Sequence, residues 1–160
     1  MSKPVKPIPD GYQSMTPNLV CSNAARAIDF YKTVFGATEL RRVPGPNGTI
    51  MHAEMKIGDS MFFINDTMGA APLPVPAPGT PNPMYIHLYV PDADTVYNRA
   101  VTGGARVDMP LQDMFWGDRY GKITDPFGQQ WGIATRKEEV TPEEMKRRQD
   151  AFFSKAAGQN

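Results

Sequence analysis

The stretch that decides the fold reads Asn23-Ala-Ala-Arg-Ala-Ile-Asp-Phe-Tyr-Lys-Thr-Val-Phe-Gly36 and predicts a short amphipathic helix. Its apolar side chains follow the i, i+3, i+4, i+7 spacing of one helical face, at Ala27, Phe30, Tyr31 and Val34. Asn23 is a favourable N-cap, and Gly36 suits the end of a helix. We therefore expect a helix that begins and ends between these two residues.

Short strand-length segments surround this helix. One precedes it at 18–21, and three follow at 38–43, 49–57 and 60–64, separated by turn residues. The second half of the chain repeats the order strand–helix–strand–strand–strand. Its strands are expected at 85–90, 105–109, 119–124 and 130–135, with the helix running from the N-cap Asp92 to the glycines at 103–104. Asn23 and Asp92 are 69 residues apart, and Gly58 and Gly128 are 70 apart, which indicates an internal repeat of pattern.

The segments between and beyond the two halves differ in composition. Residues 69–83 contain six prolines in fifteen positions, so we expect a semi-extended linker there, or alternatively a flap over a site. The domain organisation is then an N-terminal arm (1–13), a first module (14–68), the linker, a second module (84–136) and a helical tail (137–160). Thr141 and Pro142 suit the start of the tail helix. Its apolar stripe packs either on its own module or on a partner subunit.

The charge balance and the cysteine count restrict the class of protein. Seventeen basic and seventeen acidic residues give no net positive field for nucleic acid or for anionic lipid. The single cysteine, Cys21, forms no intramolecular disulfide and fits a reducing compartment. No apolar run reaches the roughly 18 residues of a membrane span, and the first residues lack a secretory signal. We expect a cytoplasmic protein.

The repeated element order, with Ala27-Ile-Asp-Phe-Tyr-Lys-Thr-Val-Phe-Gly36 in its first copy, resembles the vicinal oxygen chelate superfamily. This group includes glyoxalase I, extradiol dioxygenases, and bleomycin- and fosfomycin-resistance proteins. The stretch Met114-Phe-Trp-Gly-Asp-Arg-Tyr-Gly-Lys-Ile-Thr-Asp-Pro-Phe-Gly128 resembles its PhnB-like branch. The resemblance covers residues 14–136. It implies an α+β fold in which two tandem βαβββ modules form an open-barrel cavity, followed here by a C-terminal helix.

The resemblance also implies where a metal would bind. Metal-dependent members place His, Gln or Glu on the first and last strand of each module. In this sequence those positions fall on Thr16 and Phe62 in the first module and on Tyr85 and Gly132 in the second. A divalent ion needs several lone-pair donors at about 2 Å, which these residues do not supply. We therefore expect no metal and no other cofactor.

Other residues offer a replacement site. His52 and Glu54 are two apart on a predicted strand and so share a face, and His87 shares the face of Tyr85. Together they form either a relocated zinc or 2-His-1-carboxylate iron site or a metal-free acid/base site with Glu54 as general base. The alternative is that His52 and Glu54 form a solvent-facing pair and His87 is a wall residue.

Aromatic residues supply a second candidate site. Phe62, Tyr85 and Trp131 belong to the predicted cavity strands, and Trp116 and Tyr120 flank the turn at 117–119. Arg119 suits an anionic group through its bidentate fork. The predicted ligand-binding residues are Thr16, Phe62, Tyr85, His87, Trp116, Arg119, Tyr120 and Trp131. Alternatively, the rings fill a core and Arg119 pairs with Asp113 or Asp118.

Two functions of different class follow from the resemblance and these residues. The first is a metal-free, homodimeric protein that binds an aromatic or amphipathic small molecule, as bleomycin-resistance proteins do. The second is a glyoxalase-like enzyme, a lyase, isomerase or transferase, that acts on a small carbonyl or thiol adduct. The fold alone does not choose between them.

Overall fold

The computed structural model describes residues 6–68, 74–76, 80 and 82–157 of the chain. The chain divides into two compact units, Met1–Pro81 with Pro126–Gln129, and Asn82–Asp125 with Gln130–Asn160. Most of the predicted proline-rich linker at 69–83 lies outside the described residues. Among the described residues, no helix carries an apolar run long enough to cross a membrane.

The described part of the first unit contains one four-stranded sheet, one α-helix and a short 3-10 helix at Pro46–Gly48. Its elements are β1 (Asn18–Cys21), α1 (Ala24–Phe35), β2 (Thr38–Pro44), β3 (Ile50–Ile57) and β4 (Ser60–Asp66). The strand order is β1-β4-β3-β2, with β1 parallel to β4 and the other pairs antiparallel. This is the predicted βαβββ order, so the periodicity and the turn residues identified the elements correctly.

The second unit repeats this topology and adds a helix. Its elements are β5 (Tyr85–Tyr89), α2 (Ala93–Thr102), β6 (Arg106–Asp113), β7 (Asp118–Thr124), β8 (Gln130–Arg136) and α3 (Pro142–Ala157). The strand order is β5-β8-β7-β6, with β5 parallel to β8. The α+β class, the internal repeat and the C-terminal helix are therefore confirmed.

The ends of α1 are fixed as its sequence predicts. The Asn23 side chain accepts a hydrogen bond from the Arg26 amide, and Gly36 adopts φ 66°, a left-handed conformation that favours glycine. The buried face contains Ala27, Ile28, Tyr31, Val34 and Phe35. Phe30, predicted on the same face, is half-buried, and its ring contacts Phe127 at 6.0 Å between centroids.

Alternation along each last strand separates a helix side from an open side of the sheet. Phe62 is buried, and its ring contacts Tyr31 of α1 at 6.0 Å, whereas the next residue, Phe63, lies on the opposite side. In β8, Trp131 is buried on the side of α2, and Gly132 faces the other way. The open side of each sheet therefore carries a separate set of side chains.

The observed register corrects the sequence-based alignment of the two modules. Asn18 pairs with Phe63 and His87 pairs with Gly132, so the counterpart of Gly132 is Phe63. The prediction that Phe62 holds this position was wrong by one residue, a slip that moves a side chain to the opposite face. The cause is loop length: two residues join β3 to β4, whereas residues 125–129 join β7 to β8. Gly58 and Gly128 are therefore not equivalent.

A buried carboxylate fixes α1 to its sheet. The Asp66 side chain, at the end of β4, accepts hydrogen bonds from the Ala24 amide through Oδ1 and the Ile50 amide through Oδ2, both at 2.7 Å. In the second unit, Thr135 holds the corresponding place. Its hydroxyl accepts from the Ala93 amide at the start of α2 and donates to the Val90 carbonyl. Both last strands thus satisfy a helix N-terminus.

We expect Asp66→Asn to destabilise the chain by about 1–3 kcal/mol, because an amide group has one acceptor oxygen and leaves one buried N–H without a partner. Urea unfolding followed by circular dichroism measures this change. Asp29→Asn, at an exposed position on α1, is the matched control and should change stability by less than about 0.5 kcal/mol. Equal stability of the two variants would contradict the role of Asp66.

Candidate functional site

The open side of the second sheet is predominantly aromatic. Tyr85, His87 and Tyr89 alternate along β5 on the side opposite α2, and Gly132 lies beside His87 on β8. Tyr120 of β7 belongs to the same side through its pairing with Ala134. This brings together three of the predicted ligand-binding residues, Tyr85, His87 and Tyr120.

Gly132 creates the space that holds this cluster together. A Cβ at Gly132 would lie 2.9 Å from Tyr120 Cε2, closer than non-bonded contacts allow, and 3.2 Å from Tyr85 Cε2, which is a tight contact. Without a side chain there, the Tyr120 ring lies across β8 and stacks on His87, with 5.4 Å between centroids and 15° between planes. Any larger residue at this position would therefore displace the Tyr120 ring from its observed place.

The groups in this stack are held neutral. Burial raises the pKa of Tyr120, and a hydrogen bond with Tyr85 raises it further. Desolvation lowers the pKa of His87, against the opposing effect of the Asp118 charge. Phenol and imidazole are both uncharged at neutral pH, so the surface they form is apolar in its faces and polar at its edges.

Charged groups stand at the two ends of the aromatic surface. The Lys122 ammonium lies 4.3 Å from the centre of the Tyr85 ring, a cation–π contact. At the other end, Asp118 is 5% exposed and accepts hydrogen bonds from the Tyr89 hydroxyl at 2.9 Å and the Trp116 indole N–H at 3.1 Å. The hydrogen bond to Asp118 also raises the pKa of Tyr89.

A cleft of about 890 Å³ opens beside Asp118 within the second unit. Tyr89, Trp116 and Arg136 line it, and Met145 of α3 contributes an apolar wall. The helix α3 is held next to the cleft by contacts with Phe115, whose ring lies 5.2 Å from that of Phe152 and whose carbonyl accepts from Arg148. Of the two alternatives for the tail helix, packing on its own module is therefore observed.

The open side of the first sheet carries a polar cluster instead. Glu54 accepts a hydrogen bond from the Tyr12 hydroxyl at 2.8 Å, and its Oε1 lies 3.7 Å from His52 Nε2 and 3.9 Å from Arg41 Nη1. The Phe63 ring contacts both Tyr12 and His52. A cleft of about 480 Å³ beside this cluster includes Thr16. The predicted pair His52 and Glu54 is thus in contact, within 4 Å.

Three predicted ligand-binding residues lie on the helix side of their sheets. Phe62 packs on α1 as described above. Trp131 donates its indole N–H to Asp125 at 2.9 Å. Arg119 pairs with Asp94 on α2 at 2.8 Å and with Asp113 at 3.5 Å, and its hydrogen bond lowers the pKa of Asp94. The alternative pairing of Arg119 with Asp113 is observed, although Asp94 is the nearer partner.

Sequence reasoning missed several residues of the two open sides. The missed residues are Tyr12, Tyr89, Asp118, Lys122 and Arg136. For Lys122 a signal existed, because it lies two residues from Tyr120 in the strand predicted at 119–124. Asp118 lies one residue before the predicted start of that strand, so the prediction did not include it. Tyr12 lies in an arm without periodicity, so nothing in the sequence marked it.

The residues at the family's metal positions do not fit a divalent ion. With the corrected register these positions hold Thr16 and Phe63 in the first unit and Tyr85 and Gly132 in the second. Phe63 and Gly132 have no donor atom in their side chains, and the Tyr120 ring fills the space above Gly132. Across the described ranges, no three or more His, Cys, Asp or Glu side chains are grouped to hold a metal ion.

Two βαβββ modules, each with one open side of its sheet, define a protein of the vicinal oxygen chelate class. The chain belongs to the Glyoxalase/Bleomycin resistance protein/Dioxygenase superfamily, whose family model matches residues 14–133.

Individual relatives agree with this assignment. The chain is 42% identical over 137 residues to the uncharacterized protein Rv0887c of Mycobacterium tuberculosis, covering 82% of this chain and 79% of that protein. The crystal structure of TioX from Micromonospora sp. ML1 is 30% identical with a TM-score of 0.61, covering 78% and 98% of the two chains. The fold is also similar to that of a PhnB protein from Bacillus cereus, at 20% identity and a TM-score of 0.61, with 77% of this chain and 99% of that chain covered.

The hydrogen bond between Tyr12 and Glu54 can be tested through the pKa of Tyr12. Burial raises the pKa of Tyr12 to about 12, and the hydrogen bond to Glu54 contributes to the rise. We expect Glu54→Gln to lower this pKa towards the ordinary tyrosine value of about 10, because the anionic acceptor is gone. The pH dependence of the NMR shift of the Tyr12 ring carbon measures it. Glu39→Gln, on β2, is the control and should leave the pKa of Tyr12 unchanged.

Proposed function

We propose that this protein binds a small aromatic or amphipathic molecule on the open side of its second sheet, without a metal ion and without a reaction. The observation that carries the proposal is the neutral stack of His87 on Tyr120 above Gly132, with Tyr85 beside it. Aromatic surfaces with a few polar groups at their edges are typical of sites for planar ligands.

The exposure of the cluster supports this reading. Tyr85 is 42% exposed and Tyr89 is 61% exposed, whereas Tyr120 is almost fully buried beneath them. Exposed rings on a rigid strand offer contact area at low cost in conformational entropy. A planar ligand placed on this surface would bury the faces that the sheet leaves open, a gain of about 25 cal/mol per Å² of apolar area.

The metal-free part of the proposal rests on the donor set described above. We expect no thermal stabilisation of the protein by Zn²⁺, Ni²⁺, Mn²⁺ or Fe²⁺, and stabilisation by an aromatic probe that a chelator does not reverse. A large shift with one of these ions would contradict it.

The chain has two histidines, and they provide a matched pair of variants for the site. With the neutral probe 3-ethylindole, we expect amide NMR shifts in β5, β7 and β8, and a Kd raised about three- to tenfold by His87→Ala, as loss of one aromatic contact predicts. His52→Ala, on the first sheet, should leave the Kd within about twofold of that of the unchanged protein. The reverse pattern, or no binding at all, would reject this site.

A glyoxalase-like enzyme is the second candidate, and the Glu54 cluster favours it. Glu54 is partly buried in a cleft, held by Tyr12 and next to His52, which is a suitable arrangement for a general base. Such an enzyme would be a lyase, isomerase or transferase that removes a proton from a small carbonyl compound or thiol adduct.

Glu54→Gln separates the two candidates. The binding proposal expects no turnover of the methylglyoxal–glutathione hemithioacetal by the unchanged protein, and equal affinity of the protein and the variant for 3-ethylindole. If turnover is present and is lost in Glu54→Gln but kept in Glu39→Gln, the enzyme replaces the binder. Absorbance of the thioester product follows the reaction.

The proposal includes a cytoplasmic homodimer. The single cysteine, Cys21, is buried in β1, which suits a reducing compartment. Pairing of two chains is the arrangement that resemblance to bleomycin-resistance proteins implies. Light scattering should therefore give twice the chain mass of 17.7 kDa.

A further inference from the structure

Asp118 presents one occupied and one open carboxylate oxygen. Both of its side-chain donors, Tyr89 and Trp116, bind the same atom, Oδ2. In the part of the chain that the structure describes, no donor forms a hydrogen bond with Oδ1. Asp118 is 5% exposed, and it lines the cleft of about 890 Å³ in the second unit. Among the described residues, no fully buried side-chain oxygen lacks a hydrogen-bond partner, so the unpartnered Oδ1 is the part of Asp118 that remains accessible. A donor from outside the chain can therefore bind it.

The cations nearest to Asp118 along the sheet are engaged elsewhere. Arg136 lines the same cleft but pairs with Glu139 at 3.6 Å. Lys122 is four residues along β7, about 13 Å away at the usual strand rise, and lies over the Tyr85 ring. His87 feels the Asp118 charge, but desolvation lowers its pKa. Among the described residues, no Lys or Arg forms an ion pair with this carboxylate.

The walls of the cleft suit a cation that carries an aromatic group. Trp116 and Tyr89 line the cleft and hydrogen-bond Asp118 through their polar edges, and a cation that lies over the face of such a ring is stabilised by it. Met145 adds an apolar wall that adapts to a ring. We propose that this cleft binds the ammonium end of an aromatic amine, with the ammonium donating to Asp118 Oδ1. The inference deepens and rests on the proposed ligand-binding function.

Geometry favours an ammonium over other cations. A guanidinium binds a carboxylate best through two parallel hydrogen bonds, one to each oxygen, and Oδ2 already accepts two. A divalent metal needs several donors, and among the described residues Asp118 is the one carboxylate that lines this cleft. An ammonium needs one strong acceptor and tolerates ring faces around its remaining surface.

Matched indole probes test the inference by NMR titration or calorimetry. We expect tryptamine, which carries an ammonium, to bind the full chain about tenfold more tightly than neutral 3-ethylindole. Indole-3-propionate, which carries a carboxylate, should bind more weakly than either. Asp118→Asn keeps an oxygen that accepts from Tyr89 and Trp116 but removes the charge, so we expect the tenfold preference to disappear. Asp113→Asn removes an exposed charge on β6 and should keep it.

A second variant guards against loss of folding in the first. Arg136→Gln removes the one cation found among the described lining residues of the cleft. We therefore expect tryptamine to bind this variant about two- to fivefold more tightly, with no change for 3-ethylindole. Equal affinities for the charged and neutral probes, or a preference that survives Asp118→Asn, overturn the inference. If 3-ethylindole binds without any preference for tryptamine, the ligand-binding proposal stands and the amine site fails. If neither probe binds, both fail.

Discussion

In each module the first strand pairs in parallel with the last strand, and this pairing determines on which side of the sheet the other side chains lie. It sets Asn18 beside Phe63 and His87 beside Gly132, and the two-residue period of a strand then assigns every other side chain to one side of its sheet. One set is buried against the helix that connects the paired strands, and the other set is left open. The strand register therefore determines both which side chains form the core and which side chains form the candidate site.

Polar contacts at the end of the last strand hold that register against the helix. Asp66 binds the first amide of α1 and the first amide of β3, and Thr135 binds the first amide of α2. These helix N-termini would otherwise leave buried donors without partners. Because the helix covers one side of the sheet, fixing the helix also fixes which side remains open. The stability of the fold and the position of the site are therefore linked through a few buried hydrogen bonds.

Local patterns in the sequence predicted the elements well and the register less well. The caps Asn23 and Asp92, the helical spacing and the turn residues each act within a few positions, so they gave the βαβββ order correctly. The choice between Phe62 and Phe63 depends on the length of a turn relative to its counterpart in the other module, which no local pattern measures. Trp131 and Arg119 were placed by residue type, whereas alternation sends both to the helix side.

The two open sides show why a shared topology leaves function undecided. At equivalent places the first unit has Phe63, whose ring contacts His52, and the second has Gly132, whose missing side chain admits the Tyr120 ring. The two open sides therefore differ at this position by an aromatic ring against a hydrogen atom. The first sheet has a polar cluster around Glu54, and the second has an aromatic surface that ends at Asp118. The strands supply positions in both cases, and the side chains supply the chemistry. The same fold surrounds Glu54 with polar groups and Asp118 with aromatic rings. The activity of the protein therefore has to be argued from these two carboxylates and their neighbours rather than from the family.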